Sequence, residues 1–91
     1  MPYRIKVASR SVEKQVAAVS AEERERVFAR IRALADQPRP RGVKCLARDV
    51  FRLRIGRYRV IYKVLETEQV ILIGKIALRS EQTYRGIEEL F

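Results

Sequence analysis

Apolar and polar residues alternate at the start of the chain. In "YRIKVA" (3–8) Tyr3, Ile5 and Val7 share one face, which predicts a half-buried strand. The spacing then changes to a helical one. Val12, Val16 and Val19 fall on one side of a short helix over roughly 11–19, with Ser9 or Ser11 as its cap. "SAEE" has the form of a capping box, Ser20 at the N-cap and Glu23 three residues on. The helix it opens is expected to run to about Ala35, burying Val27, Phe28, Ile31, Leu34 and Ala35. Acids crowd its first turn (Glu22, Glu23, Glu25) and arginines its end (Arg30, Arg32), as the helix dipole favours. The prolines of "DQPRPRG" (36–42) stop it. About one residue joins the two helices, so an antiparallel helix hairpin is expected.

Alternation returns in the second half. "DVFRLRI" turns Phe51, Leu53 and Ile55 inward, and "RYRVIYKV" does the same with Tyr58, Val60, Tyr62 and Val64. Gly56-Arg57 suits a two-residue type II′ turn, which pairs Ile55 with Tyr58, Arg54 with Arg59 and Arg52 with Ile61. A second hairpin is expected around Glu66-Thr67-Glu68, leading into "QVILIGKIA" (69–77). A three-residue loop there pairs Ile61 with Ile73 and Arg59 with Lys75. That register puts Arg54, Arg59 and Lys75 in one row, with Arg52 a step away and Val70 and Leu72 on the other face. The expected fold is α+β: an N-terminal strand, a two-helix hairpin, then a three-stranded antiparallel meander. Together they make one sheet with helices on one face, followed by a short C-terminal segment. At 91 residues this is a single domain, 1–91, with a modest core.

Composition narrows the chemistry. Apolar residues make up 47% and charged residues 34%, which favours a folded chain over disorder. No apolar run approaches the roughly 20 residues of a membrane span, and "MPYRIKV" lacks the apolar region of a signal peptide, so a cytoplasmic protein is expected. The sole cysteine, Cys45, excludes an internal disulfide and is expected to be a small half-buried residue. Histidine is absent, which removes the commonest general base and metal ligand. Neither metal nor cofactor is expected, and any reaction must use Arg, Lys, Tyr or carboxylates. Tyr3, Tyr58 and Tyr62 fall on the apolar face and read as core.

The net charge is +9, and residues 39–63 hold nine basic side chains against one acid, Asp49. Such concentration points to a polyanion. Like charges opposite each other on neighbouring strands destabilise a sheet, so the arginine row calls for a compensating anion. Guanidinium forks match phosphate oxygens.

The element order, with "RGVKCL" before "FRLRIGRYRVIYKV" and "KIALRSEQTYR" after it, resembles the RelE/ParE superfamily of toxins from type II toxin–antitoxin systems, closer to the RelE branch. The likeness covers nearly the whole chain. It implies ribosome-dependent, metal-free cleavage of messenger RNA by attack of the 2′-OH on the adjacent phosphate, and inhibition by a cognate antitoxin. Matched by position, the catalytic basic residues fall on Arg52, Arg54, Arg59 and Arg79, and the catalytic tyrosine on Tyr84. Lys44, Arg48, Arg57 and Lys75 are expected to bind substrate. Without histidine, Tyr84 is the candidate proton acceptor, its phenolate favoured by nearby cations; its alternative role is to stack on a base. The chain departs from the family pattern at Ala77-Leu78-Arg79, where many members read Gly-His-Arg, and in one extra residue between Arg79 and Tyr84. Expected partners are the ribosome, its message and an acidic antitoxin, with no membrane. Two other readings stay open: a ParE-like inhibitor of DNA gyrase without nuclease activity, and a non-catalytic RNA-binding module.

Overall fold

The computed structural model describes residues 2–78 and 90–91. The chain forms β1 (Arg4–Val7), α1 (Arg10–Ala17), α2 (Ala21–Ala33), β2 (Lys44–Ala47), β3 (Val50–Ile55), β4 (Tyr58–Leu65) and β5 (Val70–Leu78). The strands make one sheet in the order β1-β5-β4-β3-β2. β1 runs parallel to β5, and the other neighbours are antiparallel. The helices therefore carry the chain from one edge of the sheet to the other, and the meander brings it back.

The α+β architecture is the one expected, with one strand more. "KCLA" (44–47) is too short to show alternation, yet it pairs with β3 through a tight turn at Arg48-Asp49. Asp49 sits at φ 60°, a left-handed conformation that a short polar side chain tolerates, so no glycine is needed there. Its carbonyl accepts the Val64 N–H at 2.8 Å, tying the turn to β4. Cys45 lies on this edge strand and is exposed rather than half-buried.

Both helices start where the serines place them, but neither serine caps with its side chain. Ser9 and Ser20 occupy the N-cap positions without a side-chain bond to the helix backbone. Glu23 is drawn away by Arg57, so it does not reach back as a capping box requires. Instead the Ser20 N–H donates to the Tyr58 hydroxyl at 3.1 Å, which docks the start of α2 on β4.

The core lies between the helices and one sheet face. Val12, Val19, Val27, Ile31 and Leu34 pack against Phe51, Leu53, Ile55, Tyr58, Val60, Tyr62, Val64, Ile71, Ile73 and Ile76. Fully burying side chains of this kind stabilises by roughly 1.5–3 kcal/mol each. Tyr62 is fully buried, and its hydroxyl donates to the Pro38 carbonyl at 2.6 Å. The phenol meets its need for a partner in the loop that follows α2.

The β3–β4 hairpin has the expected register. Ile55 faces Tyr58, Arg54 faces Arg59 and Arg52 faces Ile61, with Gly56 at φ +56° in the turn. The β4–β5 hairpin differs. Leu65 pairs with Val70, so the loop holds four residues rather than three, and the register shifts again between Ile61 and Tyr62. Tyr62 faces Ile73 but Ile61 faces Lys75, leaving Gly74 as the extra residue of a bulge. On β5 it is therefore Ile71 and Ile73, not Val70 and Leu72, that enter the helix-side core.

Gly74 has a second role. A Cβ built on it would lie 2.5 Å from Phe91 Cε1 and 3.0 Å from the Leu90 Cβ. The missing side chain is the socket into which the end of the chain packs. Gly74 follows core-facing Ile73, so Leu90 and Phe91 rest on the sheet face away from the helices. Gly74→Ala should expel the Phe91 ring and cost about 1–2 kcal/mol, read by urea denaturation. In a Phe91→Ala background the same change should be neutral or stabilising, because no ring remains to collide.

Candidate functional site

Strand alternation sorts the charge. The five strands contain eight basic residues and no acid. The registers place all eight on the face away from the helices: Arg4 and Lys6 on β1, Lys44 on β2, Arg52 and Arg54 on β3, Arg59 and Lys63 on β4, Lys75 on β5. They stand in rows. Arg54, Arg59 and Ala77 form one; Lys44, Arg52, Ile61 and Lys75 form the next. Neighbours in a row are about 5 Å apart across strands, and rows step roughly 6.6 Å along them.

The expected row of Arg54, Arg59 and Lys75 is corrected by the longer loop and the bulge. Lys75 stands one row over, beside Ile61 and in line with Arg52. Arg59 is only 9% exposed, whereas Arg54 is exposed and Arg52 half-buried. Arg59 is thus held by its surroundings, and Arg54 is the more accessible of the pair. Lys44 is exposed at the β2 end of the second row, and Arg48 is exposed in the β2–β3 turn. Arg79 and Tyr84 lie outside the described residues.

Two arginines of the basic stretch are drawn off the face. Arg57 donates through Nε and Nη2 to Glu23 Oε1 at 2.9 and 2.6 Å, so this candidate substrate contact is anchored to α2. Arg39 pairs with Glu66 at 2.6 Å and Asp49 at 3.6 Å, and lies over the Phe51 ring at 5.5 Å. The pairing lowers the Glu66 carboxyl below its ordinary range, chiefly through the bond donated by Tyr3 and then through Arg39. Glu23 is lowered mainly by its hydrogen bond from Arg57. The acids that pair thus serve arginines at turns and leave the strand face cationic.

The core tyrosines are committed elsewhere. Burial pushes the Tyr62 phenol up to about 12, and Tyr3 is raised chiefly by its hydrogen bond to Glu66. Neither is poised to accept a proton. Arg4 and Lys6 were the residues missed by sequence reasoning. Their alternation with Ile5 and Val7 signalled a polar side to β1, but only its pairing with β5 shows that they join the same face.

A family model for the ParE toxin of type II toxin–antitoxin systems (parDE) matches residues 6–83. The chain belongs to this ParE toxin family. Its fold is shared with RelE structures. The archaeal RelE of Pyrococcus horikoshii, solved with RelB, is 29% identical; the match covers 90% of this chain and 100% of that one, with a TM-score of 0.74. The RelBE2 complex of Mycobacterium tuberculosis matches at 20% identity over 89% and 95% of the two chains, TM-score 0.73. Isolated Escherichia coli RelE matches at 14% identity over 98% and 99%, TM-score 0.77. Comparison with curated protein sequences gave no match. The toxin thus sits within the RelE/ParE superfamily, its family model named for one branch and its structural neighbours for the other. Among the described residues, no helix is long and apolar enough to cross a membrane.

Two outcomes follow from the charge sorting. Removing Arg54 by Arg54→Ala takes one of two facing like charges from an exposed position, so stability should hold or rise by a few tenths of a kcal/mol, while retention on an RNA column weakens. The depressed Glu23 and Glu66 carboxyls favour the folded state above their ordinary value of 4.5, and that contribution is lost as pH falls through the lower folded values. The urea midpoint should fall below pH 4.5 in the wild type, and less steeply in a Glu23→Gln, Glu66→Gln double variant.

Proposed function

We propose that this toxin is a ribosome-dependent endoribonuclease that cleaves messenger RNA, and that the cationic sheet face holds the scissile phosphate. The observation that carries the reading is the facing pair Arg54 and Arg59 with Arg52 one row on, on a face whose strands bear no acid. The 2′-oxygen attacks the adjacent phosphorus while the P–O5′ bond breaks, giving a cyclic phosphate and a free 5′-hydroxyl. Negative charge grows on the non-bridging oxygens in the transition state, so preset guanidinium groups bind it better than the ground state. Arg59, held in place, and Arg54, reaching outward, suit two such oxygens. Arg52, Lys44 and Lys75 extend the contact to neighbouring phosphates, with Arg48 at the turn beyond. By resemblance, Arg79 adds a further cation, and Tyr84 moves the proton or stacks on a base. The donor set of this face is cationic, which suits charge neutralisation without a bound metal.

The same face calls for a neutraliser while the toxin is stored. The P. horikoshii and M. tuberculosis relatives were solved as toxin–antitoxin complexes. A cognate antitoxin for this chain should be net acidic and bind less tightly as salt rises. The family match also keeps a second reading in play, inhibition of DNA gyrase without RNA cleavage.

One experiment separates the two. Programmed ribosomes are given EDTA-washed toxin in buffer that retains the ribosomes' own magnesium, and the message is mapped by primer extension. Cleavage at a defined position is expected, abolished by a 2′-deoxy or 2′-O-methyl nucleotide at that position and reduced by at least a hundredfold in Arg59→Ala. Orientation by the ribosome can supply several kcal/mol of the barrier, so free RNA should be cut poorly. Intact message together with inhibited supercoiling would establish the gyrase reading instead.

A further inference from the structure

We propose that a cleft at the free end of β5 is a nucleobase pocket that reads the base next to the held phosphate, a reading that rests on the RNA-cleavage function above. β1 covers β5 only from Val70 to Ile73. Beyond that point α1 replaces it, and Gln15 Oε1 accepts the Ile76 N–H at 2.7 Å, where a strand partner would otherwise sit. Between α1 and the end of β5 lies a cavity of 370 Å³ lined by Gln15, Ala18, Tyr58, Lys75, Ala77 and Leu78. Its volume is at the low end of ligand pockets, about 300–1,000 Å³, fit for one base with its sugar.

The lining has the character a base requires. Ala18, Ala77 and Leu78 provide apolar surface for a flat ring. Leu78 is 39% exposed, one of two large apolar side chains so exposed among the described residues. An exposed leucine ending a strand whose neighbours are cationic is otherwise unexplained. Polar groups enter from three sides, and all are donors. The Gln15 carbonyl is committed to Ile76, which fixes the amide and leaves its nitrogen as the donor. The Tyr58 oxygen accepts the Ser20 N–H, leaving the hydroxyl hydrogen to donate. Lys75 carries the third donor and also stands in the Arg52 row, so the pocket and the phosphate face share a residue.

A donor-only edge selects acceptor-rich bases. Guanine presents O6 and N7 together, and uracil presents its carbonyl oxygens. Adenine and cytosine would turn an amino group toward donors. The structure therefore assigns guanine as the preferred base, with uracil next.

The test uses Gln15→Glu, which keeps the acceptor for the Ile76 N–H but replaces the amide donors with acceptors. Labelled full-length toxin is titrated with 5′-GMP and 5′-AMP, following the Ile76 and Leu78 amides by NMR. Wild type should respond at lower GMP than AMP concentration. The variant should lose that order, a change in ratio on the order of tenfold; the ratio cancels the added negative charge, which acts on both nucleotides. Equal responses to both nucleotides in both proteins would overturn the pocket, as would shifts confined to the arginine face. The base profile of cleavage on programmed ribosomes gives an independent readout. Message cut with the same base profile by both proteins leaves the nuclease reading standing and removes the pocket. Message left intact removes the nuclease reading, while a GMP preference that Gln15→Glu reverses still upholds the pocket.

Discussion

The structure depends on the register between β3 and β4. Side chains alternate across a strand, so a slip of one residue in β3 would carry Arg52 and Arg54 into the core and turn Phe51, Leu53 and Ile55 out to water. Taking a guanidinium out of water without a carboxylate beside it costs several kcal/mol, and the strands supply no carboxylate. The constraint that fixes the fold is thus the one that builds the site. Apolar residues that must be buried force the basic residues between them onto one surface. The sheet tolerates Arg54 facing Arg59 because the alternative register is far worse.

Acid placement completes the sorting. Glu23 holds Arg57 at the β3–β4 turn, and Glu66 holds Arg39 beside the β4–β5 loop. Both pairs lie at the periphery, where they fasten loops and leave the strand cations to an outside anion. The bulge at Gly74 adds a different kind of control. It shifts Lys75 by a row, opens a socket for Phe91 and ends β5 beside α1, where Gln15 meets Ile76.

Much of this was legible in the sequence because its signals were local. Gly56-Arg57 has one good turn solution, and the alternation on either side of it set the β3–β4 register without ambiguity. The helix starts at Ser9 and Ser20 were equally local. What escaped depended on distant partners. Glu23 reads as a capping-box residue until Arg57, 34 residues away, competes for it. Asp49 replaces an expected glycine because its side chain is short enough for a left-handed turn. The loop at Glu66–Gln69 and the bulge at Gly74 both leave alternation intact on either side, so periodicity alone could not count their residues. The placement of Lys75, and with it the shape of the cationic rows, followed from that uncounted pair. The β5 edge pocket was invisible for a similar reason: it exists because β1 ends before β5 does.

The central claim is that charge sorting has made one sheet face into the phosphate-binding surface of this toxin. It is tested most directly by observing the arginine Nε–H signals of labelled protein during titration with a short 2′-O-methyl RNA, which binds but cannot be cut. Arg52, Arg54 and Arg59 should shift together and saturably, with the response weakening as salt rises, while Arg39 and Arg57 stay with their carboxylates. Shifts centred on Arg39, Arg57 or the helix arginines, with the strand arginines unmoved, would contradict it.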